Sequence, residues 1–338
     1  MIGIVCLIIF MLFSSVTLTP RPDETIDFSR VIRDNVNPEA RVVDIVMLGA
    51  HNAFTGGITK KSAVCPHDRH VLTRPFFKKI APGMLYRFTK TQKSDAAGLL
   101  QRGVRYFDVR LTYFDNTWHT HHRLISAPLE KYLIQIIDFL HNNPGELIIF
   151  DIQHVNMGNG TFNGLWNFIA SVTFEGRSLF DFVTYNPFTT PLGTLTLGEA
   201  TKYGAAAVIL AKTPAARNGF HYEYQNSVVS IWHNKIQSNE LIAQIQHQST
   251  SQVNHNTFRV NQAQTTPNFD NFKNAAASLF SWSILSHNSK HNIKLLNHGD
   301  FMSWFEVMPI FMVDFSDSPR DGFNRLVIEK INEFNNGL

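Results

Sequence analysis

A chain of 338 residues with 44% hydrophobic and 17% charged side chains can bury a large core, which excludes a disordered segment or a minimal disulfide-stapled scaffold. Its formal charge of +3, without any long run of Lys or Arg, lacks the footprint of a nucleic-acid-binding protein. Ile2 to Phe13 is almost wholly apolar and is followed by Ser14, Ser15 and Thr17. A stretch of that length is too short to span a bilayer comfortably and suits a signal-peptide core. The expectation is a secretion signal over 1–19 and one domain over 20–338, with an uncleaved anchor or a buried strand as the alternatives. Cys6 would leave with the signal, so Cys65 would stand alone, without an internal disulfide, as a buried or loop thiol. Asn159-Gly160-Thr161 is an N-glycosylation sequon in a Gly/Asn-rich stretch, which suits a surface loop.

Along the chain, apolar runs bounded by turn residues predict strands over Val42–Leu48, Val104–Leu111, Leu147–Ile152, Ala205–Ala211, Val228–Trp232, Leu279–Leu285 and Ile310–Phe315. Runs of this kind suit strands covered on both faces, as in a parallel sheet. Between the second and third, Leu129, Leu133, Ile136, Ile137 and Leu140 recur at helical spacing, with Ser126 as a candidate N-cap and Asn142-Asn143-Pro144-Gly145 as the stop. Strand, helix and strand make a βαβ unit. Its repetition predicts a single-domain (β/α) barrel of the TIM type, regular or incomplete, with a doubly wound sheet as the runner-up. Ser238 to Asn274, rich in Gln and Asn, reads as a helix followed by a long loop.

Barrel chemistry sits where strands end. After the first strand comes Gly49-Ala50-His51-Asn52-Ala53. The second strand carries Asp108 and Arg110 at i and i+2, on one face. His119, His121 and His122 follow, and the last strand ends with Asp314. Two imidazoles can serve as base and acid across a phosphodiester, an Arg can neutralise the phosphoryl oxygens, and carboxylates can orient the imidazoles. The Asp108/Arg110 pair could equally be a structural ion pair.

These motifs resemble phosphatidylinositol-specific phospholipases C. Gly49–Ala53 resembles the segment that opens the X-type catalytic domain. Gly103-Val-Arg-Tyr-Phe-Asp-Val-Arg110 resembles the G-x-R-x-x-D-x-R strand, His122–Leu129 the His-Gly-Leu segment, and Asn143–His154 the N-P-x-E strand. Ile231–Asn234 and Val313–Phe315 resemble later elements. The closest group is the X-domain-only proteins. The resemblance implies that His51 is the general base for the inositol 2-hydroxyl and that His122 is the acid for the diacylglycerol oxygen. It makes Arg110 the phosphate-stabilising Arg, Asp108 the carboxylate of that strand and Asp314 the partner of His51. Asn52, His119 and Asp151 are further substrate-binding candidates. His119-Thr120 resembles a variant of the second motif, so His119, and then His121, are alternative acids; ungapped spacing to Ala127-Pro128-Leu129 favours His122. Arg123 stands where a Gly usually follows the second His.

The expected product is a cyclic inositol phosphate with diacylglycerol, made by a monomer working on phospholipid at a membrane surface, without nucleic acid. Arg110 stands where calcium-dependent relatives carry an acidic residue, which favours a metal-independent site without cofactors over a calcium site built on Asn52, Asp108 and Asp151. A catalytically weak headgroup-binding protein is the competing reading, and a magnesium phosphodiesterase barrel is a third. Pro75 to Phe88 mixes aromatics with Lys78, Lys79 and Arg87, and reads either as a membrane-facing loop or as a partly buried helix.

Overall fold

A computed structural model describes residues 27–66, 82–212, 219–266 and 283–338. The signal expected over 1–19 lies outside the described residues, as does the first half, 75–81, of the Pro75–Phe88 segment. Pro82–Thr89 of that segment is helical. Ten strands form one sheet: β1 (Met47–Ala50), β2 (Val104–Phe114), β3 (Thr117–His122), β4 (Leu124–Pro128), β5 (Leu147–Asn156), β6 (Ala206–Ala211), β7 (Tyr222–Glu223), β8 (Val228–Ser230), β9 (Phe258–Gln262) and β10 (Ile310–Val313).

Eight of them run in the order β8-β9-β10-β1-β2-β5-β6-β7, and every neighbouring pair along this path is parallel. Read around the sheet, this is chain order. The curled sheet is therefore an open, irregular barrel whose gap falls between β7 and β8, strands joined only by the one-turn helix Tyr224–Ser227. The predicted barrel is borne out.

Register explains how its interior fills. Met47 pairs with Ile310 and Gly49 with Met312, and Gly49 also pairs with Tyr106. A Cβ on Gly49 would lie 3.1 Å from the Met312 Cα and 3.3 Å from the Tyr106 ring, so a glycine lets Tyr106 fill the middle of the barrel. The other face packs on helices such as Leu129–Asn142, whose Leu133, Ile136, Ile137 and Leu140 are buried at the expected spacing.

Arg105, the first Arg of the second-strand motif, faces away from the mouth and is fully buried. Its Nε donates to Glu146 Oε2 at 2.6 Å, and its terminal nitrogens donate to the Leu100, Val104 and Phe28 carbonyls. Glu146 in turn accepts from the Ile32 and Arg33 amides, so the pair ties residues 28–33 to the barrel floor. Arg105→Met leaves a buried carboxylate without its cation. It is expected to cost about 3–5 kcal/mol, read as a lowered urea midpoint at unchanged m-value.

Several expectations need correction. The apolar residues of Val42–Val46 are buried but not strand: the Val42 amide donates to Leu195 O and Val46 pairs with the Asn335 side chain, so loop contacts replace a ladder. Of Leu279–Leu285, residues 279–282 lie outside the description, and Ile284 and Leu285 open a helix capped by Ser283. Val228–Trp232 ends at Ser230, leaving Ile231 and Trp232 exposed. Ser126 is not an N-cap; it lies in β4 and its hydroxyl donates to Phe54 O, while Pro128 occupies the cap position. The expected loop after Ser238–Ser249 contains β9. The antiparallel β2-β3-β4 extension also went unforeseen. Its last turn rests on Arg123 alone, at φ +62°, because His122 already pairs with Leu124. A Gly would suit that left-handed position. Cys65 is buried. The Asn159 sequon is exposed, and Thr161 caps the next helix through the Gly164 amide.

Candidate active site

The C-terminal ends of the strands meet at the barrel mouth. His51 follows β1 directly, its amide still bonded to Val313 O. Its carbonyl is clamped by Thr91 Oγ1 at 3.1 Å and Gln92 Nε2 at 3.0 Å, and Gln92 also reaches Val313 O. The next residue, Asn52, turns the chain at φ +44° and donates its amide to Asp108 Oδ2 at 2.9 Å. The ring is thus fixed by backbone on both sides.

His51 Nδ1 lies 2.6 Å from Asp314 Oδ1. An ionised carboxylate only accepts, so Nδ1 carries the proton and Nε2 is left as the basic nitrogen. Nε2 looks toward Arg110, whose Nη2 is 3.4 Å away and also 3.3 Å from Asp108 Oδ2. Across the mouth, the His122 ring centroid is 6.4 Å from that of His51, edge-on, and His122 Nδ1 donates to Thr89 O at 2.8 Å. Both imidazoles are held at Nδ1, and His51 Nε2 lies 3.2 Å from Asn52 Nδ2 as well as near Arg110. His119 and His121 belong to the other face of β3. His119 contacts Ser126 O and the edge of Phe114, and His121 contacts Asn156 and lies near His154. Strand alternation therefore separates the three histidines, and His122 is the one beside His51.

Charge follows the same geometry. Burial alone would raise Asp108, but the charges of Arg110 and His51 and the Asn52 amide outweigh it and hold the carboxyl below its usual range. Burial pushes His122 well below the usual imidazole value, helped by the charges of Arg123, Arg110 and His51 and opposed by the bond to Thr89 O. Asp151 is in register with Asp108, and burial raises its carboxyl to about 7, against its bonds from the Tyr106 hydroxyl and Gln153. Its Oδ1 is buried without a hydrogen-bond partner among the described residues.

A carboxyl whose folded pKa is about 7, against ~3.9 unfolded, favours folding below pH 4, and that contribution is lost as pH rises through 7. Asp151→Asn is therefore expected to be more stable than the parent at pH 8–9, by on the order of 2 kcal/mol, and to lose that advantage near pH 4. Urea midpoints across pH check it, and a pH-independent difference would contradict it.

The mouth is polar on all sides. Beyond the expected residues it gains Gln153, Lys212, Tyr224, Ser230, Gln262 and Gln264. Lys212 Nζ sits 4.3 Å from the centre of the Tyr224 ring, Gln262 donates to the Ser230 hydroxyl, and Gln264 donates to Gln262. Only Gln153 was signalled by alternation with Asp151; the others needed the barrel to close. Among the described residues no group of three or more His, Cys, Asp or Glu side chains gathers to hold a metal ion.

No family model matches the chain. It is 28% identical over 119 residues to PI-PLC X domain-containing protein 3 of Bos taurus, covering 33% of this chain and 37% of that protein. It is 26% identical over 218 residues to the variant-surface-glycoprotein phospholipase C of Trypanosoma brucei brucei, covering 60% of this chain and 57% of that enzyme. These matches span well under two thirds of either relative. In structure it superposes on the phosphatidylinositol-specific phospholipase C of Staphylococcus aureus with a TM-score of 0.61 at 15% identity, covering 92% of this chain and 99% of that one. The corresponding Listeria monocytogenes enzyme gives 0.58 at 18% identity, over 90% and 99%. Identities this low bear on fold alone. The chain thus has the barrel fold of the phosphatidylinositol-specific phospholipases C and is similar in sequence, over about a third of its length, to PI-PLC X domain-containing proteins.

Proposed function

We propose that the chain is a phosphodiesterase that cleaves phosphatidylinositol, or a glycosylated relative, to diacylglycerol and a cyclic inositol phosphate. The observation that carries this reading is the Asp314-held imidazole of His51 facing both Arg110 and His122 at the mouth of the barrel. His51 Nε2 takes the proton of the inositol 2-hydroxyl as that oxygen attacks phosphorus. His122 gives a proton to the departing diacylglycerol oxygen. Arg110 offsets the charge that builds on the phosphoryl oxygens, and Asp108 keeps the guanidinium aimed there. The surrounding hydroxyls and amides, with Asn52 and Asp151, suit a ring that is polar on every edge. The reaction is metal-independent in this reading, because the guanidinium supplies the positive charge. The apolar Ile2–Phe13 stretch supports secretion.

The test is release of water-soluble inositol phosphate from labelled phosphatidylinositol vesicles, equally with calcium and with chelator, and its loss in His51→Ala. No release under any presentation would overturn the proposal. A second reading, a headgroup-binding protein with little turnover, is favoured by Arg123, whose charge disfavours the imidazolium form of His122. In that case inositol phosphate binds but no lipid is cleaved.

A lipid substrate has to be met at the rim of the mouth. Ile231 and Trp232, 48% and 58% exposed, follow β8 there, and Thr266 holds the indole N–H at 2.8 Å. Trp232→Ala is expected to weaken binding to phosphatidylinositol-containing vesicles by about three- to tenfold while leaving turnover of a soluble substrate unchanged. Equal vesicle binding would remove Trp232 from that role.

A further inference from the structure

Beyond the residues that face the substrate, the geometry points to Asn288 as the positioning residue of the catalytic base, acting through Asp314 on His51. The inference rests on the proposed role of His51. It starts from the helix Ile284–Leu296, which buries an unusual set of polar side chains: Asn288, Ser289, His291 and Asn292 are all 3% exposed or less. Buried amides cost stability unless they are hydrogen-bonded, so what they bond to is informative.

Asn288 and Asn292 lie one turn apart and grip the same residue. Asn288 Nδ2 donates to Asp314 Oδ2 at 2.6 Å, and Asn292 Nδ2 donates to the Asp314 carbonyl at 2.8 Å. The opposite end of the Asn288 amide, Oδ1, accepts from the Thr265 hydroxyl, which fixes which way the amide faces. The chain of contacts runs from Thr265 to Asn288 to Asp314 Oδ2, then from Asp314 Oδ1 to His51 Nδ1.

A carboxylate has two equivalent oxygens, and its terminal torsion is soft. A single contact with His51 would let it rotate or share its charge among both oxygens. With Oδ2 pinned by a charge-assisted bond, Oδ1 is directed at His51 Nδ1, and the imidazole keeps the tautomer that leaves Nε2 basic. Arg110 approaches His51 at Nε2, the ring nitrogen away from Asp314. The helix is therefore what sets the base.

The experiment uses the full chain and labelled phosphatidylinositol vesicles, with far-ultraviolet dichroism and thermal melting to establish folding. Asn288→Leu keeps the volume and removes the donor. It is expected to lower kcat by about 10- to 100-fold with KM within about twofold, as misplacement of a catalytic group does. Thr265→Val, which leaves Asn288 in place but frees its amide to turn, is expected to lower kcat by about two- to fivefold. Asn288→Asp separates positioning from mere packing. At low pH a protonated Asp still donates to Asp314, and as pH rises both carboxylates ionise and repel. Its activity relative to the parent should fall with rising pH, whereas a packing defect gives a constant ratio. A folded Asn288→Leu with kcat within twofold of the parent, or a flat ratio for Asn288→Asp, overturns the assignment. Should Asn288→Leu fail to fold, the Asn288→Asp profile and Thr265→Val decide. If His51→Ala is fully active, the underlying reading fails; if His51→Ala is inactive and the Asn288 variants are normal, only the positioning role fails.

Discussion

Replacing His51 by Ala is expected to lower kcat for phosphatidylinositol by about 10³- to 10⁴-fold, at the upper end of what a general base contributes. The size follows from how completely the structure commits this side chain. Its Nδ1 is spoken for by Asp314, its backbone is held by Thr91, Gln92 and Val313, and Nε2 is left toward the phosphate position beside Arg110. Among the described residues no other imidazole shares these contacts. Binding should change little, because Arg110 and the polar wall of the mouth are untouched, so the loss should fall on kcat and leave KM nearly constant. A variant that keeps more than a tenth of parental turnover would show that the base lies elsewhere.

Replacing His122 by Ala is expected to lower kcat by about 10²- to 10⁴-fold on the natural lipid, and by far less on a substrate with a nitrophenolate leaving group, which departs without a proton. His119→Ala should stay within about threefold on both, because the other face of β3 carries that ring to Ser126 O and Phe114. The reverse ranking would make His119 the acid. His122 works from an unfavourable starting point: burial and three neighbouring cationic or titratable groups hold it well below the usual imidazole range, so it is neutral at pH 7 in the ligand-free site. An anionic phosphodiester supplies the opposite charge that restores its proton. Arg123→Gly removes one of the opposing charges and relieves a left-handed position at φ +62°. It should move the basic limb of kcat/KM to higher pH and add about 1 kcal/mol of stability. An unmoved basic limb would show that Arg123 does not govern His122.

How far the site was legible depends on the residue. His51, Asp108 and Arg110 could be read because each belongs to a strand or its first turn, where alternation and strand ends dictate facing before any partner is known. Within the histidine cluster, only the spacing to Ala127-Pro128-Leu129 favoured His122, because three histidines within four positions look physically alike until a strand is laid through them. The β2-β3-β4 extension does that sorting, and nothing in the local pattern announces it: β3 reads Thr-Trp-His-Thr-His-His, without the apolar alternation that marks a half-buried strand. The same held for β9, whose Phe-Arg-Val-Asn-Gln pairs with β8 and β10 although two of its buried side chains are polar. In the other direction, Val42–Val46 is apolar enough for a strand, yet its hydrogen bonds go to Leu195 and Asn335.

What the sequence by itself determined is the barrel and the near half of the site. Repeated apolar runs around an amphipathic helix point to a parallel sheet, with the barrel ahead of a doubly wound arrangement, and period-2 placement puts Asp108 and Arg110 together whatever surrounds them. Only the tertiary structure gives the contacts of the far half: Asp314, which the resemblance had named, reaches His51 from 263 residues away, Asn288 holds Asp314, and His122 faces His51 across the mouth. It also decided that Arg105 and Glu146 serve the floor of the barrel and not its chemistry. These are contacts across chain closure. Local propensity carries no information about them, because the partner of a buried polar group is fixed by which strands become neighbours and by the requirement that the group be satisfied there.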